Sequence, residues 1–145
     1  MKTFEDLVQA MLNRNERLRA FKTLFTDLCD SLITQLQSST KMPNEHIATY
    51  IPNTKKHHNG LGQCIYFKND QYHLDMAIKL GAVHQEINLT SVKDDNSLEL
   101  YITLINDNRK FEYNIGQEDL SEYDYAAEIE FIMDSLVRQY DIDTF

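Results

Sequence analysis

Residues 72–89 read YHLDMAIKLGAVHQEINL. Every second position from Tyr72 to Leu80 is apolar (Tyr72, Leu74, Met76, Ile78, Leu80), with His73, Asp75, Ala77 and Lys79 between them. A period of two is the signature of a strand with one face buried. Gly81-Ala82 then offers a two-residue turn with glycine at the first central position, as a type II′ turn requires. Folding there sets Met76 opposite Ile87 and Leu74 opposite Leu89, so apolar meets apolar.

The same logic extends in both directions. Upstream, QCIYFK (63–68) alternates, and Asn69-Asp70 is a turn of residues that tolerate positive φ. It sets Phe67 opposite Tyr72 and Ile65 opposite Leu74, with Cys64 and Tyr66 on the polar side. Downstream, Leu98, Leu100, Ile102 and Leu104 share one face, and a turn at Asp107-Asn108 sets Leu104 opposite Phe111, Ile102 opposite Tyr113 and Leu100 opposite Ile115. A one-residue slip would send each strand's apolar set to the wrong face, so agreement of turn chemistry with parity in three hairpins is informative. A five-stranded antiparallel meander follows, with the register across SVKDDNS (91–97) left open.

Helices flank the meander. Thr3 and Asp6 form a capping-box start. Apolar residues then recur in steps of three and four: Phe4, Leu7, Met11, Leu18, Phe21, Phe25, Leu28 and Leu32, with a second stripe of Val8, Leu12, Cys29, Ile33 and Leu36. One helix from Thr3 to Ser38 would be about 54 Å long, more than a domain of this size is wide. The polar run Asn13–Arg17 is the expected break, leaving residues 1–14 as an arm or first helix. Pro43 ends the helical segment, and IATYI (47–51) is a short candidate strand. At the other end, Ser121 and Asp124 suggest a capping box for a helix through Tyr125, Ile129, Ile132, Leu136 and Tyr140. Residues 141–145 read as a tail, with Phe145 able to dock. The fold class is therefore α+β: a long N-terminal helix, a five-stranded sheet and a C-terminal helix, with both helices on one sheet face and residues 1–145 forming a single domain.

Composition narrows function. Fourteen basic against 23 acidic residues give a net charge of −9, which disfavours direct binding to a phosphate backbone and suits solubility or a basic protein partner. No apolar run reaches the roughly 20 residues of a membrane span, and no signal peptide is legible in MKTFEDLVQAML. Two cysteines far apart in sequence, Cys29 and Cys64, read as reduced thiols in a cytoplasmic protein.

Candidate chemistry lies on the polar sheet face. The registers place Tyr66, His73 and Thr90 in one row and Cys64, Asp75 and Asn88 in the next, with Lys79 opposite His84 and Glu86 opposite Ala77. A cysteine, a histidine and an aspartate invite a nucleophile reading. A flat face offers no pocket to exclude water, however, and no three metal-type ligands share a row. Catalytic, metal and cofactor sites are accordingly expected to be absent. The loop NTKKHHNGLG (53–62) holds the only concentrated positive patch, Lys55 and Lys56 beside His57 and His58. Tyr50, Tyr66, Tyr101, Tyr123 and Tyr125 fall where exposure is expected, and tyrosine suits a surface that meets a partner.

The element order resembles that of small acidic secretion chaperones and toxin-immunity proteins, on fold-level grounds alone. The expectation is a non-enzymatic acidic protein-binding module of adaptor, inhibitor or chaperone type. Its candidate contacts are Lys55, Lys56, His57, His58, Tyr66, His73, Asp75, Glu86 and Tyr101. A homodimer is expected through Phe4, Leu7, Val8, Met11 and Leu12. The alternatives are an acidic nucleic-acid mimic that blocks a DNA- or RNA-handling enzyme, and a small-ligand or hydrolytic site on the polar sheet face.

Overall fold

A computed structural model describes residues 1–141; the expectation that Phe145 docks lies outside them. The elements run α1 (Phe4–Thr40), β1 (Ile47–Thr49), α2 (Leu61–Cys64), β2 (Tyr66–Lys68), β3 (Gln71–Leu80), β4 (Val83–Lys93), β5 (Ser97–Leu104), β6 (Asp107–Asn114) and α3 (Ala126–Gln139). This is the α+β arrangement read from the sequence, a long helix, an antiparallel sheet and a closing helix.

The expected break in α1 does not occur. The helix is continuous over 37 residues, about 55 Å. Asn13–Arg17 contains neither proline nor glycine, and polar residues each cost a helix at most about 0.7 kcal/mol. Those side chains are in solvent, and Gln9 Nε2 donates to Asn13 Oδ1 at 3.0 Å across one turn. The capping box forms as expected. Asp6 N–H donates to Thr3 Oγ1 at 3.2 Å, and Thr3 N–H donates to Asp6 Oδ2 at 2.8 Å. Only the second half of the helix packs, through Phe21, Phe25, Leu28, Cys29, Leu32 and Leu36.

The sheet is five positions wide and contains six strands. Its order is β1-β3-β4-β5-β6, with β2 also pairing β3. β2 lies against Gln71–His73 and β1 against Met76–Ile78, so the two short strands share one edge of β3. Two hairpins have the expected register: Phe67 faces Tyr72, Leu74 faces Leu89 and Met76 faces Ile87. Asn69 and Asp70 take φ of 54° and 62°, and Gly81 takes 59°. Across the connection left open, Ser91 pairs with Leu100 and Lys93 with Leu98.

The last hairpin differs. Its turn is Ile105-Asn106, so Leu104 faces Asp107, Leu100 faces Phe111 and Leu98 faces Tyr113. The turn has moved by two residues and the strand has slid by four relative to the expected pairing, and an even slide leaves every side chain on its face. The cause is tertiary. Asp107 Oδ2 accepts from Ser135 Oγ at 2.8 Å and from Arg138 at 3.1 Å, both on α3, and Tyr113 reaches Glu128 on the same helix.

Ile65 and Cys64 are a further correction. Cys64 ends the one-turn helix α2 and is fully buried rather than lying on the polar face, and Ile65 follows it outside any strand. α3 also starts later than expected. Ser121 turns back to Asp119, and Tyr125 caps α3 with its backbone N–H donating to Gln35 Oε1 at 2.9 Å. The Tyr125 ring is completely buried, so its docking sets where the helix begins.

The core lies between the apolar sheet face and the two helices. Leu74, Leu89, Leu98, Leu100 and Ile102 have no exposed surface, and Ile132 and Leu136 of α3 close over them beside α1. Truncating Leu100 to alanine is expected to cost about 2–5 kcal/mol. Ile105→Ser at the exposed turn should change stability by less than about 0.5 kcal/mol. Urea denaturation of the two variants checks both.

Candidate functional site

The polar sheet face presents an ordered row, Tyr66-His73-Thr90-Tyr101-Lys110, one residue from each of five neighbouring strands. Beside it run Asp75, Asn88, Thr103 and Asn108. The two rows are tied together. Tyr66 hydroxyl donates to Asp75 Oδ2 at 3.1 Å, and Asn88 Nδ2 donates to Asp75 Oδ1 at 2.7 Å. That orientation leaves Asn88 Oδ1 to accept from the Thr90 hydroxyl. Thr90 Oγ1 in turn lies 2.9 Å from His73 Nδ1, and His73 Nε2 lies 3.3 Å from the Lys68 carbonyl. Tyr66 stacks on the His73 ring at 5.0 Å. Burial, and then the Asp75 carboxylate, push the Tyr66 phenol up to about 12. Each polar group in this network is used to hold another, which is how a solvated sheet face is kept rigid.

Cys64 does not join this network. Its thiol donates to the carbonyls of Thr49 at 3.7 Å and His58 at 3.5 Å, and burial pushes its pKa up. A thiol held neutral in this way is a poor nucleophile. No group of three or more His, Cys, Asp or Glu side chains among the described residues is placed to hold a metal.

The basic loop is mostly structural. His57 Nδ1 accepts from Thr49 N–H at 3.0 Å while its Nε2 lies 2.7 Å from Asn59 Oδ1, so the proton sits on Nε2. His58 Nδ1 accepts from Gly60 N–H at 2.9 Å. Lys55 pairs with Glu86 and lies over the Tyr50 ring at 5.4 Å; the Glu86 hydrogen bond raises its pKa. Lys56 is exposed, and its side chain makes no hydrogen bond or ion pair among the described residues. Between this loop and the strands lies a recess of about 490 Å³ lined by Tyr50, Lys55, Asp75, His84, Glu86 and Asn88. Among the tyrosines expected at the surface, Tyr50 and Tyr125 are buried, whereas Tyr66, Tyr101 and Tyr123 are half-buried. Tyr101 hydroxyl donates to Glu99 at 3.1 Å, and this bond raises its pKa.

One polar pair was not singled out from the sequence. Glu128 is buried beneath α3 and accepts from the Tyr113 hydroxyl at 2.6 Å. Tyr113, Tyr123 and Tyr125 surround it edge to face, with centroids 5.0 to 6.0 Å apart. Burial raises the Glu128 carboxyl above the ordinary range, opposed by the Tyr113 hydrogen bond. The signal was in the spacing, because Glu128 sits on the 125-129-132-136 stripe of α3 rather than on its wet side.

Among the described residues two apolar surfaces are open. The first half of α1 shows Phe4, Leu7, Val8, Met11 and Leu12, with Phe4 77% and Met11 57% exposed. A groove of about 720 Å³ lies where the β3–β4 tip meets the end of α3, lined by Ile78, Leu80, Val83, Met133, Val137 and Tyr140. No helix among the described residues is long and apolar enough to cross a membrane. No protein-family model, curated protein or solved structure matches the chain significantly.

A carboxyl whose folded pKa is raised stabilises the protein below its unfolded pKa, and this contribution is lost as pH rises through the folded value. Glu128→Gln keeps an acceptor for Tyr113 and cannot ionise. The variant is therefore expected to gain melting temperature over the parent at pH 7, and the gain should vanish near pH 4. Tyr113→Phe leaves the carboxylate buried without its donor and should cost about 1–3 kcal/mol at pH 7. Thermal melts across pH read both.

Proposed function

We propose that the chain is a non-enzymatic protein-binding module of adaptor, inhibitor or chaperone type that works as a homodimer. The observation that carries this reading is the unsupported half of α1. Five large apolar side chains face solvent on one side of a helix that runs clear of its own domain. A soluble chain keeps such a contiguous stripe exposed when another polypeptide covers it. The polar sheet face adds a second, rigid surface on which Tyr66, His73, Asp75, Glu86 and Tyr101 are fixed before any partner arrives, and a preorganised surface binds at lower entropic cost. The net charge of −9 favours a partner whose contact surface is basic. Two free, buried thiols, Cys29 and Cys64, fit a reducing cytoplasmic setting.

Light scattering on the full chain is expected to give twice the monomer mass of 17.0 kDa. Removing residues 1–12, or introducing Leu7→Asp, should give a folded monomer, since neither change touches the core. A full-length chain that stays monomeric at about 100 μM, a weak affinity for an obligate partner, would remove the basis for the dimer.

A further inference from the structure

At one edge of the sheet β6 has a neighbour on one side only. Ile115 N–H donates to the Asn96 carbonyl at 3.0 Å. Hydrogen-bonded and non-hydrogen-bonded pairs alternate along an antiparallel ladder. The odd-numbered residues of β6 therefore bond to β5, and Asn108, Lys110, Glu112 and Asn114 turn their N–H and C=O groups outward. The two end residues are already engaged. Asn108 N–H donates to Asp107 Oδ1 at 3.1 Å. Asn114 N–H donates to Glu118 Oε2 at 3.1 Å, and its carbonyl accepts from Gln117 and Glu118. Lys110 and Glu112 remain, exposed and with both outward backbone groups unpaired among the described residues. Open groups of this kind are a template for another strand.

The side chains restrict which strand fits. Suppose a second copy adds its own β6 antiparallel, about a twofold axis normal to the sheet. Apolar side then continues into apolar side, and odd residues lie opposite odd residues, so the axis passes through a residue. An axis through Arg109, Lys110 or Glu112 sets that charge directly against its own copy, which is destabilising. An axis through Asn108 runs the pair off the end of the strand, and one through Tyr113 sets Glu112 opposite Asn114, whose groups are taken. An axis through Phe111 sets Lys110 opposite Glu112 of the second copy and Glu112 opposite Lys110. Each of these pairs exchanges both N–H···O=C bonds, so every open group of the two residues is used. Lys110-Phe111-Glu112 is in this sense its own complement.

The surroundings agree with that register. On the polar side Lys110 Nζ lies 3.0 Å from Glu112 and 3.9 Å from Glu99 of its own chain. Two carboxylates thus serve one ammonium, and the second copy brings a lysine opposite the exposed Glu112. On the apolar side Phe111 is half-buried against Phe131, with centroids 6.1 Å apart, and Arg109 lies over its ring at 5.0 Å. The axis brings the two Phe111 side chains together as a directly opposed, non-hydrogen-bonded pair, the kind in which side chains come closest. Arg109 comes opposite Tyr113 rather than opposite a charge. Asp107 and Glu118 stand beyond the paired stretch, held by Arg138 and by Asn114 N–H.

We infer that residues 109–113 of β6 are a self-complementary edge at which a second copy adds antiparallel, centred on Phe111 with Lys110 against Glu112, to give one sheet continuous through both chains. The contact is separate from the α1 stripe and goes beyond the dimer reading above. About five residues a side fall short of the roughly 1,000 Å² that a stable interface buries, so the contact is weak. With a Kd on the order of 1 mM it is mostly open at about 100 μM and joins chains, or α1 dimers, at higher concentration.

The test uses the full chain and its Leu7→Asp variant, in which the α1 stripe is broken. Backbone amide resonances of residues 109–113 should move with protein concentration between about 0.1 and 2 mM in both. Lys110→Glu and Glu112→Lys each set like charges opposite one another twice and should weaken this association about fivefold or more. Mixed together, the two single variants meet as glutamate against lysine and should associate at least as well as the parent. The double variant, with the charges exchanged, should recover the parent's behaviour. Circular dichroism confirms that each variant keeps its fold.

Single variants that associate like the parent, or a mixture no tighter than either variant alone, overturn the β6 contact and leave the α1 dimer standing. Shifts that vanish in Leu7→Asp overturn it too, because the edge would then only be reporting the α1 contact. A full chain that lacks the α1 dimer yet shows the charge-exchange pattern removes the earlier reading and keeps this one.

Discussion

The structure depends on one requirement: the even-numbered residues of β3 and β5 and the odd-numbered residues of β4 must leave water together. Leu74, Leu89, Leu98, Leu100 and Ile102 come from three strands and are wholly enclosed. At about 25 cal/mol per Å² of apolar surface removed from water, such a layer is the main favourable term in a domain of this size. Half of α1 and all of α3 are positioned to supply its cover. The polar links that look specific are arranged around it. Gln35 of α1 receives Tyr125 N–H and donates to the Tyr123 carbonyl at 2.6 Å, fixing the start of α3. Asp107 holds Ser135 and Arg138, fixing its end.

The same helix thus serves two environments. From Phe21 onward its stripe is core, and from Phe4 to Leu12 the stripe continues into solvent. Nothing local marks the change, because the helix keeps its hydrogen bonds throughout and only the material opposite it differs. A helix supported by its own backbone bonds and by a capping box can project in this way. The consequence is an apolar surface unused by the fold, joined rigidly to the core and available to a second polypeptide.

The opposite sheet face solves a different problem. Its polar side chains are not a loose wet surface. Asp75 collects Tyr66 and Asn88, Asn88 takes Thr90, and Thr90 takes His73. The Lys55 loop folds over Ala48, Tyr50 and Ala77, which form a small buried patch of their own on this side. Ala77, set between Ala48 and Glu86 across the strands, packs with Ala48 and Tyr50 in this patch.

The sequence by itself determined what depends on near neighbours along the chain. The turns at Asn69-Asp70 and Gly81-Ala82, the Thr3 cap, the pairing of Leu74 with Leu89 and the choice of buried face all follow from local chemistry and a period of two. Only the tertiary structure decided the rest. The continuity of α1 through Asn13–Arg17 turned on whether that segment faces solvent. The slide of β6 by four residues turned on Asp107 and Tyr113 finding partners on α3, since parity alone cannot distinguish registers that differ by an even step. The burial of Cys64, Tyr50 and Glu128 likewise depended on what folds over them. Periodicity reports which side of an element is apolar; it carries no information about what, if anything, comes to lie against that side.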